Sequence, residues 1–223
     1  MCPGFALRSM VSIVAKVDLM SRETDYYHLL VGRLVTALRA ELPSGFSVTG
    51  VSNQDGASSL PRMLDALARE DSGFSIPDGL AVPAILPDIV IAVRSTSGSP
   101  LFVLVEVKYS NQLRLMDYSQ LAGYLLTAPF IPIGLLLLVS KPGSLALLSP
   151  ELNQAVVSGH LPSSWAATQP SGEDIGCFRH GIIGFRPGGD LTWFRGWSGA
   201  ISSTAEFAEA LQGQSHRSRS GKC

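Results

Sequence analysis

The chain has 223 residues, 46% hydrophobic and 16% charged, enough apolar material for one globular domain with a buried core. Its net charge of −1 excludes a strongly basic molecule that holds nucleic acid by overall charge, so any affinity for phosphate has to come from local groups. Cys2, Cys177 and Cys223 stand far apart without Cys-x-x-Cys spacing, which argues against a disulfide framework or zinc site and for a reducing, intracellular and cytoplasmic setting.

In chain order, residues 1–20 carry one early Arg and a short apolar stretch interrupted by Lys16 and Asp18. This is a poor signal segment, read as a peripheral strand or extended start, with Met20 as an alternative initiator. Residues 21–42 have helical spacing through Tyr27, Leu30, Leu34 and Leu38, with Ser21 or Thr24 as cap and Pro43 beyond the end. Glu23 falls in the first turn, where the macrodipole alone would favour it, and His28 lies on the same helix. An alternating strand follows over 46–51, then a loop with Asn53, Gln54 and Asp55, then a helix over 60–70 that either shapes a cleft or covers a sheet edge.

The stretch 87–109 reads as two apolar strands joined by a Ser/Gly/Pro loop, with Asp88 opening the first and Glu106 and Lys108 closing the second. In an antiparallel ladder the numbers of opposed residues have a constant sum. A symmetric turn opposes Asp88 to Val107 and turns the Asp away from Glu106 and Lys108; a one-residue offset or a bulge puts all three on one face. The offset register is the one expected here. A helix over about 112–127 places Leu113, Asp117, Gln120 and Tyr124 on one face, and 133–140 returns as a buried strand parallel to its predecessor. No apolar run reaches the ~20 residues of a crossing helix, since that over 131–139 is broken by Pro132 and Gly134, and no membrane partner is expected.

Beyond 141, a short helix over 150–159, a hairpin of 177–186 with 191–197 around Pro187-Gly188-Gly189-Asp190, and a helix over 204–212 form a C-terminal extension (142–212) to the core (21–141). Trp193, Phe194 and Trp197 could stack on bases or pack on the sheet. Residues 213–223 read as a disordered basic tail. His160, His180 and His216 fall in loop or tail contexts, and the absence of a G-x-S-x-G motif leaves a serine hydrolase without support.

Carboxylates and an ammonium at the edge of an apolar core have two readings. One is a Glu106–Lys108 ion pair beside a strand-opening Asp88; the other is a divalent-metal site with hard oxygen ligands and a cation near a reacting phosphate. Pro87-Asp88, Glu106-Val107-Lys108 and the helical pair Gln120 and Tyr124 resemble the PD-(D/E)xK nuclease superfamily, the last pair resembling the Q-xxx-Y signature of its RecB-type branch. The resemblance covers 22–140 and implies an α/β fold: a restriction-endonuclease-like α-β-β-β-α-β core, a central mixed sheet flanked by helices, with the C-terminal hairpin added. It further implies Mg²⁺ or Mn²⁺ held by Asp88, Glu106 and the Val107 carbonyl, with Glu23 a further candidate. Lys108 and Gln120 would be catalytic, Tyr124 would contact substrate, and the reaction would be phosphodiester hydrolysis in nucleic acid, DNA being expected. The rival from another class is a catalytically inactive protein of this fold, acting through a homodimer or protein partner.

Overall fold

Apolar strand sequences with no polar alternation, such as IVIAV, LFVLV and IGLLLLV, need cover on both faces, and the structure supplies it with helices on either side of one sheet. The structure is a computed structural model and describes residues 22–54, 56, 58–76, 79–96, 98–141, 147–158, 179–194 and 201–220. A 3-10 turn, Glu23–Tyr26, leads into α1 (Tyr27–Glu41), followed by β1 (Phe46–Ser52), α2 (Leu60–Glu70), β2 (Ile89–Ser95), β3 (Leu101–Tyr109) and β4 (Gln112–Leu113). Then come α3 (Leu115–Thr127), β5 (Ile133–Val139), β6 (Leu147–Leu148), α4 (Pro150–Ser158), β7 (Arg179–Phe185), β8 (Leu191–Trp193) and α5 (Thr204–Ser220).

The fold is α/β, with a mixed six-stranded sheet in the order β1-β2-β3-β5-β7-β8. β1, β2 and β3 run antiparallel in succession, β5 and β7 are parallel to β3, and β8 is antiparallel to β7. Val103, Val105 and Val107 pack with α1 and α5, whereas Phe102 and Leu104 pack with α2 and α3. Alternation along β3 therefore assigns Glu106 and Lys108 to the α2/α3 face. Gly134 lets α3 approach closely: a Cβ there would lie 2.5 Å from Leu125 Cδ1 and 3.0 Å from Leu121 Cδ1. That contact fixes the height of α3 over β5.

Several expectations need correction. The helix expected from 112 begins at Leu115, because the Arg114 N–H donates to Asp117 Oδ2 at 2.7 Å and Gln112 and Leu113 pair with Leu147 and Leu148. Leu113 is thus a core residue off the helix, and Asp117 caps the helix's first turn. The C-terminal hairpin is no appendage: β7 completes the free edge of β5 over seven residue pairs, and His180 lies in that strand rather than in a loop. α5 continues to Ser220 instead of stopping at Gln212; the polar tail contains no proline to break it. Residues 1–21, Asp55, His160 and Trp197 lie outside the described residues.

Candidate active site

The β2–β3 register pairs Ile89 with Val105 and Ile91 with Val103, a constant sum of 194 rather than the 195 of a symmetric turn. Extended by one residue this register opposes Asp88 to Glu106, and the offset expected from sequence is the one observed. Extended by two, it opposes Pro87 to Val107. The Val107 N–H points toward β2, so by alternation this would be a position where both strands exchange hydrogen bonds. Proline has no N–H to give, and its carbonyl instead accepts from Asn53 Nδ2 at 3.3 Å. The ladder ends there, and side chains take over. Asp88 Oδ2 accepts the Val107 N–H at 2.7 Å, leaving the Val107 carbonyl, on the same strand edge, without the backbone donor that any other residue at position 87 would offer.

The next N–H on that edge, Tyr109, donates to Glu23 Oε2 at 3.0 Å. Glu23 Oε1 accepts from the Tyr27 hydroxyl at 3.1 Å, and the same hydroxyl lies 2.5 Å from Asp88 Oδ1. A phenol has one proton and can donate to only one of these carboxylates at a time. Glu23, a further candidate from sequence, thus lies beside Asp88, and both carboxylates have each of their oxygens engaged, Glu23 on Tyr27 and Tyr109, Asp88 on Tyr27 and Val107. The sequence pattern places Tyr27 only at the start of a core stripe and assigns its hydroxyl no role.

On the α2/α3 face, Lys108 Nζ donates to Glu106 Oε1 at 2.6 Å and to Gln120 Oε1 at 3.1 Å. Gln120 Nε2 donates to the Tyr124 hydroxyl at 3.0 Å, and that hydroxyl donates to the Leu86 carbonyl at 3.2 Å. All the residues of the motif are therefore joined: Asp88 from the start of β2, Glu106, Val107 and Lys108 from the end of β3, Gln120 and Tyr124 from α3. The last two also tie the helix to the strand that presents Asp88.

The site is electrostatically unbalanced. Glu106 is 1% exposed, and its Oε2 has no hydrogen-bond partner. Burial, then the nearby Asp88 carboxylate, push its pKa up to about 8 against the pull of Lys108. Burial also raises Asp88, outweighing the contacts with Tyr27, Val107, Lys108 and Glu106 that favour its charged form, and it raises Glu23 despite the Tyr109 N–H. For Lys108, burial favours the neutral amine, but Glu106, Glu23 and Asp88 together outweigh it and the ammonium is held above its ordinary range. One cation faces more carboxylate than it can neutralise.

The orphaned Glu106 oxygen, the Asp88 carboxylate and a strand carbonyl without its ladder donor make a hard-oxygen set that fits a divalent cation. Among the described residues no group of three or more His, Cys, Asp or Glu could hold a metal ion by itself, so a cation here would need main-chain or solvent oxygen as well. The other candidates fall elsewhere. His28 is exposed; Asn53 is 2% exposed and used in bracing, its Oδ1 accepting the Ser58 N–H at 2.9 Å. Trp193 donates Nε1–H to Thr204 Oγ1 and packs on Phe207, while Phe194 packs against the α2/α3 core, so neither ring is a free stacking platform. Among the described residues no helix is long and apolar enough to cross a membrane. No protein-family model, curated protein or solved structure matches the chain.

Proposed function

We propose that the chain is a metal-dependent nuclease with a restriction-endonuclease-like core, hydrolysing phosphodiester bonds in nucleic acid, DNA first. The observation that carries this reading is the unpartnered, buried Oε2 of Glu106 beside Asp88, an arrangement that is costly unless a cation completes it. Asp88, Glu106 and the Val107 carbonyl would hold Mg²⁺ or Mn²⁺, which when bound supplies Lewis-acid polarisation of the phosphate and a lowered pKa for an attacking water. The protein's own groups do the rest. Lys108, held charged, offsets the negative charge that grows on the phosphoryl oxygens, and its raised pKa fits a positioning cation better than a general base. Gln120 gives the ammonium a second acceptor besides Glu106, and Tyr124 ties α3 to the segment that leads into Asp88, where its hydroxyl would meet the substrate backbone.

The test is a cleavage assay with Mn²⁺ on single-stranded, double-stranded and branched DNA and on RNA, wild type against Lys108→Ala. Cleavage lost in the variant supports the proposal. No cleavage of any substrate, together with a stable complex with another protein, favours the inactive-subunit rival, for which Met116 and Leu147, 66% and 52% exposed, offer apolar contact points.

A further inference from the structure

A cavity of about 450 Å³ opens at the C-terminal ends of β5 and β7, lined among others by Ser140, Gly184, Arg186, Thr192 and Phe194. Its place relative to the candidate active site follows from register. Lys108 pairs with Leu138, Leu138 with Gly184 and Gly184 with Thr192, so these residues form one row across the sheet. Two strand spacings, ~10 Å, separate Lys108 from Gly184. Gly184 contributes no side chain, leaving room on the Lys108 face of the row. Ser140, two residues beyond Leu138 and 1% exposed, has an Oγ with no hydrogen-bond partner. Arg186, two residues beyond Gly184, is exposed and forms no ion pair among the described residues. Asp190, also on the lining, is drawn toward Arg33 at 3.6 Å.

We propose that this cavity is a nucleotide subsite, taking one nucleotide of the substrate strand with its phosphate on Arg186 and its sugar or base edge on the hydroxyls of Ser140 and Thr192. The inference rests on the nuclease reading for its place in the reaction but not for its chemistry. The cavity lies within the size range of small-molecule sites. A buried hydroxyl lacking a partner gains one from a polar ligand, and a guanidinium at the mouth selects phosphate through paired N–H donors. At ~3.4 Å per stacked nucleotide, the ~10 Å span corresponds to about three positions from the scissile phosphate, fewer in an extended strand.

The test uses the full chain with Mn²⁺ and separates binding from turnover. Thymidine 5′-monophosphate is titrated calorimetrically, and hydrolysis is followed on an oligonucleotide and on bis(4-nitrophenyl) phosphate, which is too small to reach the cavity. Arg186→Gln, at an exposed position, should weaken nucleotide binding about tenfold. It should raise KM for the oligonucleotide by a similar factor, with kcat and bis(4-nitrophenyl) phosphate hydrolysis unchanged. Ser140→Ala should weaken binding less. Equal nucleotide binding by wild type and Arg186→Gln overturns the subsite, as does an equal loss on both substrates. Arg186-dependent nucleotide binding in a chain that cleaves nothing supports the subsite and removes the nuclease reading; cleavage indifferent to Arg186 does the reverse.

Discussion

Two acid–base pairs on this sheet use the same ingredients to opposite effect. Asp71 meets Arg94 at 3.3 Å, and it also accepts the Gly73 N–H at 2.9 Å and the Ser47 hydroxyl at 3.2 Å. The Gly73 N–H contributes most, with Arg94 and Ser47 adding to it, and they hold its carboxyl below the ordinary range although burial opposes them. Glu106 meets Lys108 at the shorter distance of 2.6 Å, yet its pKa is pushed up to about 8. Ion-pair distance does not decide the outcome. What differs is that every neighbour of Asp71 is a donor, whereas Glu106 has one donor, one oxygen without a partner and a second carboxylate beside it. The carboxylate of Asp71 is completed by its own chain, although Arg94 Nε keeps no hydrogen-bond partner; the carboxylate of Glu106 retains an oxygen that its own chain leaves without one.

The most forceful way to break this contrast is to remove the charge of Glu106. Glu106→Gln keeps the shape and can still accept from Lys108, but it loses the charge that a cation needs. Cleavage should fall roughly 10²- to 10³-fold, as it should for Lys108→Ala. Single-turnover rates at saturating Mn²⁺ measure this; a Glu106→Gln enzyme at near wild-type rate would make the pair purely structural.

The cation itself should act on stability. Mn²⁺ at 100 times its dissociation constant adds ~2.7 kcal/mol to a protein that binds it only when folded, which for a chain of this size raises Tm by roughly 5–10 °C. Wild type should show the shift in a thermal melt, and Asp88→Ala and Glu106→Gln should not. A shift retained in both variants would move the cation elsewhere.

Without metal, the same imbalance should appear as a pH dependence. A folded carboxyl with a raised pKa keeps a proton that the unfolded chain has released, so its stabilising contribution is complete below the unfolded value of 4.5 and is lost as pH rises toward about 8. Asp88 and Glu23, both raised, act in the same direction. Lys108 does not interfere in this window, since its raised pKa costs stability only above its ordinary alkaline range. Urea melts of the metal-free protein should lose on the order of 2 kcal/mol between pH 5 and pH 8, and Glu106→Gln should flatten most of that slope.

The parts of the site legible in the sequence were those encoded by strand arithmetic. Local periodicity gives the α2 boundaries at Leu60 and Glu70, and strand alternation leaves the β2–β3 pairing a choice of registers, of which the expected offset brings Asp88, Glu106 and Lys108 to one face. Gln120 could be placed because only a short connection, containing the two residues of β4, separates β3 from its helix. Long-range contacts were not legible. Nothing local says that the Tyr27 hydroxyl spans 61 positions to Asp88 or that Glu23 caps a strand N–H at Tyr109. Tyr27 sits on a stripe where any large apolar residue would satisfy the pattern, so its hydroxyl carried no signal. The joining of β7 to β5 was hidden for the same reason: an alternating hairpin looks alike whether it stands alone or completes a sheet.

The smallest expected effect sharpens the contrast from its structural side. Asp71 and Arg94 have side chains 22% and 27% exposed, so their ion pair is partly screened and the carboxylate's main work is to accept the Gly73 N–H. Asp71→Asn keeps an oxygen for Gly73 and a packing volume close to the original, while removing the charge opposite Arg94. A loss of about 1 kcal/mol is expected, measured by chemical denaturation at pH 7. Because the folded pKa of Asp71 lies below its unfolded one, its contribution is present at neutral pH and disappears on acidification through the folded value, the reverse of Glu106. Acid denaturation of Asp71→Asn should therefore converge on wild type at low pH. Its Mn²⁺-induced Tm shift and its turnover per folded molecule should equal those of wild type, since the pair lies at the opposite end of β2 from Asp88. A variant that lost metal response along with that ~1 kcal/mol would mean the two pairs form one network, and the distinction between a completed and an uncompleted carboxylate would not hold.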